Sequence, residues 1–411
     1  MQGSTFRQSI ALLGQRRFGT FWFSSLLANI GTWAQQVAQP WLLLSLGASP
    51  FLLGLDAFAL SAPVLLLTVV GGGLADRADR RRTIAFFQSI QMLCPVLLVL
   101  LLITGTVQAW VVILLSLVVG VTDALSMPSF QSIVPSIVER DQIPSGIALN
   151  TTQLNLSRIL GPALAGVLMA SAGLAGAFAV SALSYVPFIL VALWVLPRTA
   201  PVAPGARLLD HHQLWAGVSE VLHEPGLRGG LATVLATAML SAPLVTFCPV
   251  LVKEVFQGDA GDFSIALGAF GVGGLIGAIG LLALDPLHDR RPLSTWFAVA
   301  YGAIVALAAL NRWAWVLPAL LVLAGVAMTA SNASVNALLQ TAAPTHIRGQ
   351  TISLFMLAMR GGMALGSLVT GTTVYWLGVR DALLINGLAA MLAHLLIGHF
   401  WLRAPLPRRA S

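Results

Sequence analysis

What most constrains this chain is a succession of apolar stretches, most separated by only a few residues and each long enough to cross a bilayer. A spanning helix needs about 20 apolar residues, because the hydrocarbon core is about 30 Å thick and each residue advances about 1.5 Å. Twelve such spans are expected: 18–46, 51–74, 84–104, 109–131, 145–170, 174–196, 228–252, 262–284, 293–311, 314–340, 349–376 and 380–402. In lipid the backbone must satisfy its polar groups within the segment, so these runs read as helices. With 57% apolar and 9% charged residues, a soluble domain is close to excluded. No A-x-A-like cleavage site follows the first span, which is therefore expected to stay. Cys94 and Cys248, the only two cysteines, fall within spans. Neither a structural disulfide nor metal-ligand spacing is expected.

The net charge of +7 is first a statement about topology. Arg7, Arg16 and Arg17 precede span one, Arg80, Arg81 and Arg82 follow span two, and Arg140 follows span four. Arg198, Arg207 and Arg228 bracket a central loop, and Arg290, Arg291, Arg348 and Arg403 fall on the same side. Only Lys253, Arg312 and Arg380 face the other way. Cytoplasmic loops carry the excess of Lys and Arg, so both termini and the central loop are expected in the cytoplasm. Nucleic-acid binding is the rival explanation, and it fails because the basic residues form no patch outside the loops.

One loop stands out. Gly71 to Ile84 reads GGGLADRADRRRTI and sits between two apolar runs. Its glycines allow close helix approach, and its arginines hold the loop at the cytoplasmic surface. Asp76 adds nothing to that topology signal; an acid here suits the positive N-terminal end of a neighbouring helix. The stretch resembles the loop between helices 2 and 3 of the major facilitator superfamily, carried here by Gly72, Leu74, Ala75, Asp76, Arg77, Arg80 and Arg81. The family usually has a glycine where this chain has Asp79 or Ala78. The resemblance implies an all-α membrane protein of twelve transmembrane helices in two pseudo-symmetric six-helix bundles. It also implies that Asp76 lies near the start of span eleven, around His346 to Gln350, and that breaking this contact favours the opposite opening.

The expected organisation is a cytoplasmic N-terminus (1–17), an N-terminal bundle (18–196), a linker (197–227), a C-terminal bundle (228–402) and a tail (403–411). The linker holds prolines, glycines and His211, His212 and His223, which read as solvated histidines rather than a metal cluster. Around 213–223 it suits an amphipathic helix on the membrane face. The halves match at an offset of 209 residues, Gly71 with Gly280, Asp76 with Asp285, Arg81 with Arg290, Pro40 with Pro249 and Asp123 with Asn332. One register serving several loops and spans argues for two parallel repeats. The second loop copy has lost its glycines, so the tighter contact is expected at the first. The conformational-switch set is thus Gly72, Asp76, Arg77, Arg80, Arg81, Asp285 and Arg290.

Ionisable residues inside spans are functional candidates by default, at about 2.5–3.5 kcal/mol each on insertion scales. They are Asp56, Asp123, Arg158 and Arg360. Asp123 and Arg158 are placed to share a depth and pair, either as a static lock or as a proton-sensitive latch. Asp56, a few residues after Ser49-Pro50, reads first as water contact at the outer surface and second as a cation or proton site. Arg360 is matched with Arg158 by repeat; with no acid in spans seven to twelve to balance it, apart from loop residues, it suggests an anion, a carbonyl or a water-filled cavity. Asn29, Trp33 and Gln36 recur at helical spacing, so they line a cavity or bond between helices. Asn155, Asn332 and Asn336 add polar groups in spans five and ten, with methionines and aromatics as adaptable walls. Gly161-Pro162 and Gly166 suit a bent, closely crossed span five.

Within the superfamily, Gly31 to Leu44, Ser49-Pro50 and Val134-Pro135 are similar to the twelve-span drug and siderophore exporters of bacteria. That resemblance implies proton-driven export of an amphipathic organic molecule by a monomer in the cytoplasmic membrane. The expected partners are the small-molecule substrate, protons and lipids, without nucleic acid or cofactor. No G-x-x-x-x-G-K-[ST] loop offers ATP chemistry, so the energy comes from an ion gradient, about 2.3 kcal/mol per charge per 100 mV. No enzyme site is visible. Import of a nutrient or metal-chelator complex, lipid flipping, and a non-transporting receptor remain as alternatives.

Overall fold

The computed structural model describes residues 11–77, 79–197, 218–282, 289–344 and 346–403. Among them there is no strand. The long helices are α1 (Arg16–Ser45), α2 (Pro50–Arg77), α3 (Arg80–Ile103), α4 (Ala109–Gln131) and α5 (Ile143–Trp194). After the linker come α6 (Pro225–Ala236), a π turn (Thr237–Ser241), α7 (Pro243–Val250) and a second π turn (Leu251–Val255). Then follow α8 (Ala260–Leu282), α9 (Arg290–Leu310), α10 (Leu317–Ala342), α11 (Arg348–Leu377) and α12 (Val379–Arg403).

Ten runs among the described residues are long and apolar enough to cross a membrane. One of them contains all of α5, which breaks at Gly173, where φ is 67°. Only glycine takes that conformation without a Cβ penalty. Counting the two limbs of α5 separately, and adding the 30-residue α1, gives the twelve expected segments. The amides Asn29, Gln35, Gln36 and Gln39 keep α1 out of the ten on hydropathy alone. Of the expected linker helix, 218–223 is helical and the remainder lies outside the described residues.

The chain divides into two compact units. The first comprises the described residues of Met1–Ala48, Pro63–Pro204 and Asp259–Gly268; the second those of Ser49–Ala62, Gly205–Gly258 and Ala269–Ser411. Each unit therefore includes a short piece from the other half of the sequence: the start of α8 in the first, the start of α2 in the second. The first unit packs Phe18, Phe21, Trp22, Ile84, Tyr185 and Phe188 into one cluster, with Trp22 Nε1 donating to the Leu149 carbonyl at 2.8 Å. The second packs Leu227, Leu231, Val335, Leu339, Phe355 and Trp401, with Trp401 Nε1 donating to the Gly226 carbonyl at 2.8 Å.

The repeat is present, but its register steps. Near the loop that follows span two the offset is 210, not 209. Asp79 caps α3 by accepting from the Arg81 amide at 3.3 Å, and Asp289 caps α9 by accepting from the Arg291 amide at 3.0 Å. The mate of Arg81 is thus Arg291, and Arg290 corresponds to Arg80. The extra residue falls between Pro249, which still matches Pro40, and Gln257, whose φ of 55° mirrors that of Gly47 at 74°. Between them lies the π turn Leu251–Val255, and a π turn is one residue inserted into an α-helix. In span eleven the offset is 205. A Cβ on Gly161 would meet the Ile30 carbonyl at 3.0 Å, and one on Gly366 would meet the Met239 carbonyl at 2.3 Å. Gly166 likewise abuts Ser264 as Gly371 abuts Gly54. Arg360 consequently corresponds to Asn155, not to Arg158.

Candidate transport site

In the first unit, α1 presents Asn29 and Trp33 half-buried and Gln36 exposed, while Gln35 and Gln39 are buried behind them. Asn29 Nδ2 donates to the Ser25 carbonyl at 2.8 Å and to Gln153 Oε1 on α5 at 3.3 Å. Gln153 Nε2 returns a bond to Ser25 Oγ at 2.7 Å. Asn29 therefore bonds between helices. The Arg158 guanidinium lies over the Trp33 ring, 5.4 Å from its centroid. Such a contact contributes about 0.5–1 kcal/mol exposed and about 2 kcal/mol or more when desolvated.

Asp123 on α4 is half-buried and accepts from Gln91 Nε2 on α3 at 2.7 Å. Gln91 also donates to Thr122 Oγ1 at 3.1 Å and accepts from Gln88 Nε2 at 2.8 Å. The carboxylate thus ends a short amide relay through α3. Asn155 on α5 is half-buried. Asp56 is buried at 6% exposure, which overturns its first reading as a water-contacting group: the start of α2 packs inside the second unit instead of facing solvent.

In the second unit, Asn336 Oδ1 accepts from Gln340 Nε2 at 3.0 Å. Asn332 is half-buried with its Oδ1 buried and unpartnered, and Arg360 is half-buried with a buried, unpartnered Nε. His394, which the reading of ionisable residues missed, is 1% exposed and shares a 3.2 Å hydrogen bond with Thr237 Oγ1 at the first π turn. A histidine in an apolar run carries no pattern that distinguishes it from a surface residue; only packing of α12 on span seven buries it.

The switch loop is partly legible. The α2 backbone is helical through Gly72, Asp76 and Arg77, but their side chains, and the whole of Asp285, lie outside the described residues. Arg80 and Arg290 are half-buried at helix starts. Arg81 pairs with Asp79 at 3.1 Å and donates from Nη1 to the Leu193 carbonyl at 2.7 Å. Arg291 does the same with Asp289 at 3.0 Å and the Trp401 carbonyl at 3.1 Å. The residues Asp79 and Asp289, absent from the expected set, thus fasten each loop to the last helix of its own unit. Before α11, His346 pairs with Glu220 at 3.1 Å. Both cysteines are free and buried.

The chain matches the family described as transmembrane secretion effector over residues 7–409. It belongs to that family of the major facilitator superfamily. Among curated relatives, it is 26% identical to the staphyloferrin A transporter of Staphylococcus aureus over 63% of this chain and 65% of that protein, just under two thirds of its length. It is 24% identical to the multidrug efflux pump Tap of Mycolicibacterium fortuitum, over 90% of this chain and 92% of that one. It is 26% identical to the enterobactin exporter EntS of Salmonella typhimurium, over 79% and 77%. A solved bacterial homologue of the human lysosomal transporter Spinster superposes with a TM-score of 0.70 at 15% identity, covering 96% of this chain and 98% of that one; it speaks for the fold alone. The major facilitator fold expected from the loop is therefore present, and the protein is a multi-pass membrane transporter, not an enzyme.

Proposed function

We propose that this transporter exports an amphipathic small organic molecule of the drug or siderophore class across the bacterial inner membrane, driven by protons and working by alternating access. The single observation that carries the coupling is Asp123, a half-buried carboxylate within a span whose Oδ1 takes the Gln91 amide at 2.7 Å. An acid at that depth is costly when charged, so its proton affinity responds to whichever partner it holds. Arg158, one span away, is the partner that a protonation step would release or recapture, with Trp33 holding the freed guanidinium. Asp56 is the second carrier candidate. Asn29, Trp33, Gln36, Asn155, Asn332, Asn336 and Arg360 supply the polar face for cargo. Both termini are placed in the cytoplasm on the arginine distribution. The names of the relatives, for siderophore transport and for efflux, support the cargo class.

The test is transport into everted membrane vesicles of a panel of dyes and iron chelators, with and without a protonophore. Export predicts accumulation that the protonophore abolishes. Accumulation only in right-side-out vesicles makes the protein an importer. No movement of any compound in either orientation refutes the transport of this cargo class.

A further inference from the structure

Arg360 stands 12 residues after the first residue of α11, about 18 Å along its axis. That depth is inside the hydrocarbon, where a guanidinium is costly unless something answers its charge. Nothing among the described residues does. Its Nε is buried without a hydrogen-bond partner, and no described acid forms an ion pair with it. Among the described acids of the second unit, Glu220 pairs with His346 and Asp289 with Arg291. Asp56 is buried at the start of α2, while Glu224, Glu254 and Asp381 sit at helix ends.

The arginine is not a requirement of the architecture either. The repeat places Asn155 at the equivalent position, with glycines at matching crossings on its C-terminal side in both helices. A neutral amide therefore suffices to build this helix, and the charge is particular to the second unit. A second orphan lies close by in depth. Asn332 is ten residues before the end of α10, about 15 Å from the same turn that leads into α11, and its buried Oδ1 has no partner. Buried polar groups in native proteins are almost always bonded, so the Arg360 Nε marks a donor that awaits an acceptor, whereas the Asn332 Oδ1 is itself an acceptor and only the Nδ2 of that amide can serve an anion. A guanidinium fork presents parallel N–H donors that match a carboxylate two to two, and a neighbouring amide adds a further donor.

We propose that Arg360, with Asn332 at similar depth, is the binding site for a carboxylate-type acidic group on the transported molecule, so that the cargo is an amphipathic anion. This rests on the export reading for its transport consequence, but not for its binding consequence. Half-buried Met356, Met359 and Met363 on the same helix supply an adaptable apolar surface for the remainder of such a molecule.

Binding is measured with three matched probes, pyrenebutyrate, pyrenebutyramide and pyrenebutyl-trimethylammonium, on the full chain in phosphatidylcholine nanodiscs, which offer no net-anionic headgroup. The butyrate should bind about tenfold or more tighter than the amide. Arg360→Gln should bring the butyrate to the level of the amide while leaving the amide unchanged, and Arg360→Lys should retain part of the preference. Should Arg360→Gln fail to fold, Asn332→Asp serves instead: a carboxylate there should claim the guanidinium and weaken the butyrate alone. Equal binding of butyrate and amide by the native protein, a preference that survives Arg360→Gln, or no butyrate binding overturns the proposal. Vesicle transport separates the two readings. Anion-selective binding without accumulation in everted vesicles refutes export and keeps the site; accumulation of the amide or the cation with no advantage for the butyrate refutes the site and keeps export.

Discussion

Asp289→Ala should be one of the most damaging single changes outside the transport face. The carboxylate caps α9 through the Arg291 amide at 3.0 Å and grips the same residue's guanidinium at 3.0–3.1 Å. Arg291 itself is 4% exposed, and its Nη1 holds the Trp401 carbonyl at 3.1 Å. Removing the acid deletes a helix cap, about 1 kcal/mol, and strands a buried guanidinium, about 3–5 kcal/mol in all. The Asp289 carboxylate keeps 31% of its own surface exposed, so water screens part of the loss and about 3 kcal/mol is the reasoned figure. Thermal unfolding of the purified protein, followed by loss of the monodisperse peak, should then shift down by about 3–4 °C for a chain of 411 residues. Asp289→Asn keeps the cap and loses only the charge, so it should fall between. The double change Asp289→Ala with Arg291→Met replaces both partners by apolar groups and should recover most of the loss. A single variant as stable as the native protein, or a double variant no better than the single, refutes the reasoning that pairing rather than helix packing sets the cost.

Three further outcomes are expected. Gln257→Gly removes a side chain from a left-handed backbone with φ of 55°, relieving about 1 kcal/mol after the lost exposed hydrogen bond to the Glu254 carbonyl and the added chain entropy are set against it; a small rise in melting temperature checks this. Gly366→Ala should destabilise by about 1–3 kcal/mol, because the new Cβ would stand 2.3 Å from the Met239 carbonyl, whereas Gly268→Ala, with open space around it, should be neutral or slightly stabilising on the same thermal assay. Asp123→Asn retains an acceptor for Gln91 but cannot ionise, so vesicle transport should lose its dependence on pH and protonophore while substrate exchange persists.

The fold was legible because lipid leaves few choices. Runs such as Trp110 to Val121 can only be helices there, and glycine punctuation at Gly47, Gly105, Gly173 and Gly378, all with positive φ, marks where several of them stop. The site was legible residue by residue and less so in its pairings. Asn29, Trp33 and Gln36 share a face because helical spacing dictates it. That Gln91 holds Asp123, or that Arg158 stacks on Trp33, depends on rotation and depth of neighbouring helices, which no sequence spacing encodes. Asp79 looked like a departure from a glycine pattern; its role as a cap appears only when the Arg81 amide is seen turned toward it.

The step in repeat register explains why a single offset misassigned some residues and not others. An inserted residue in a loop would vanish into a turn, but the one between Pro249 and Gln257 is absorbed inside a helix as a π turn. Everything after it, through Ser264 to Arg291, is displaced by one place, while Pro40 and Pro249 before it still agree. In span eleven a shorter approach loop moves the match again, which is why Arg360 faces the place of a neutral asparagine. A repeat kept in register by its helix crossings, at Gly161 with Gly366 and Gly166 with Gly371, fixes where the backbone must come close. It leaves the side chains between those crossings unconstrained by packing symmetry. The charges Asp123, Arg158 and Arg360 all lie away from those crossings, at positions whose counterparts in the other repeat are the uncharged Asn332, Met363 and Asn155. The two units share a scaffold and differ in charge, and the difference in charge is where the chemistry of coupling and of cargo has room to reside.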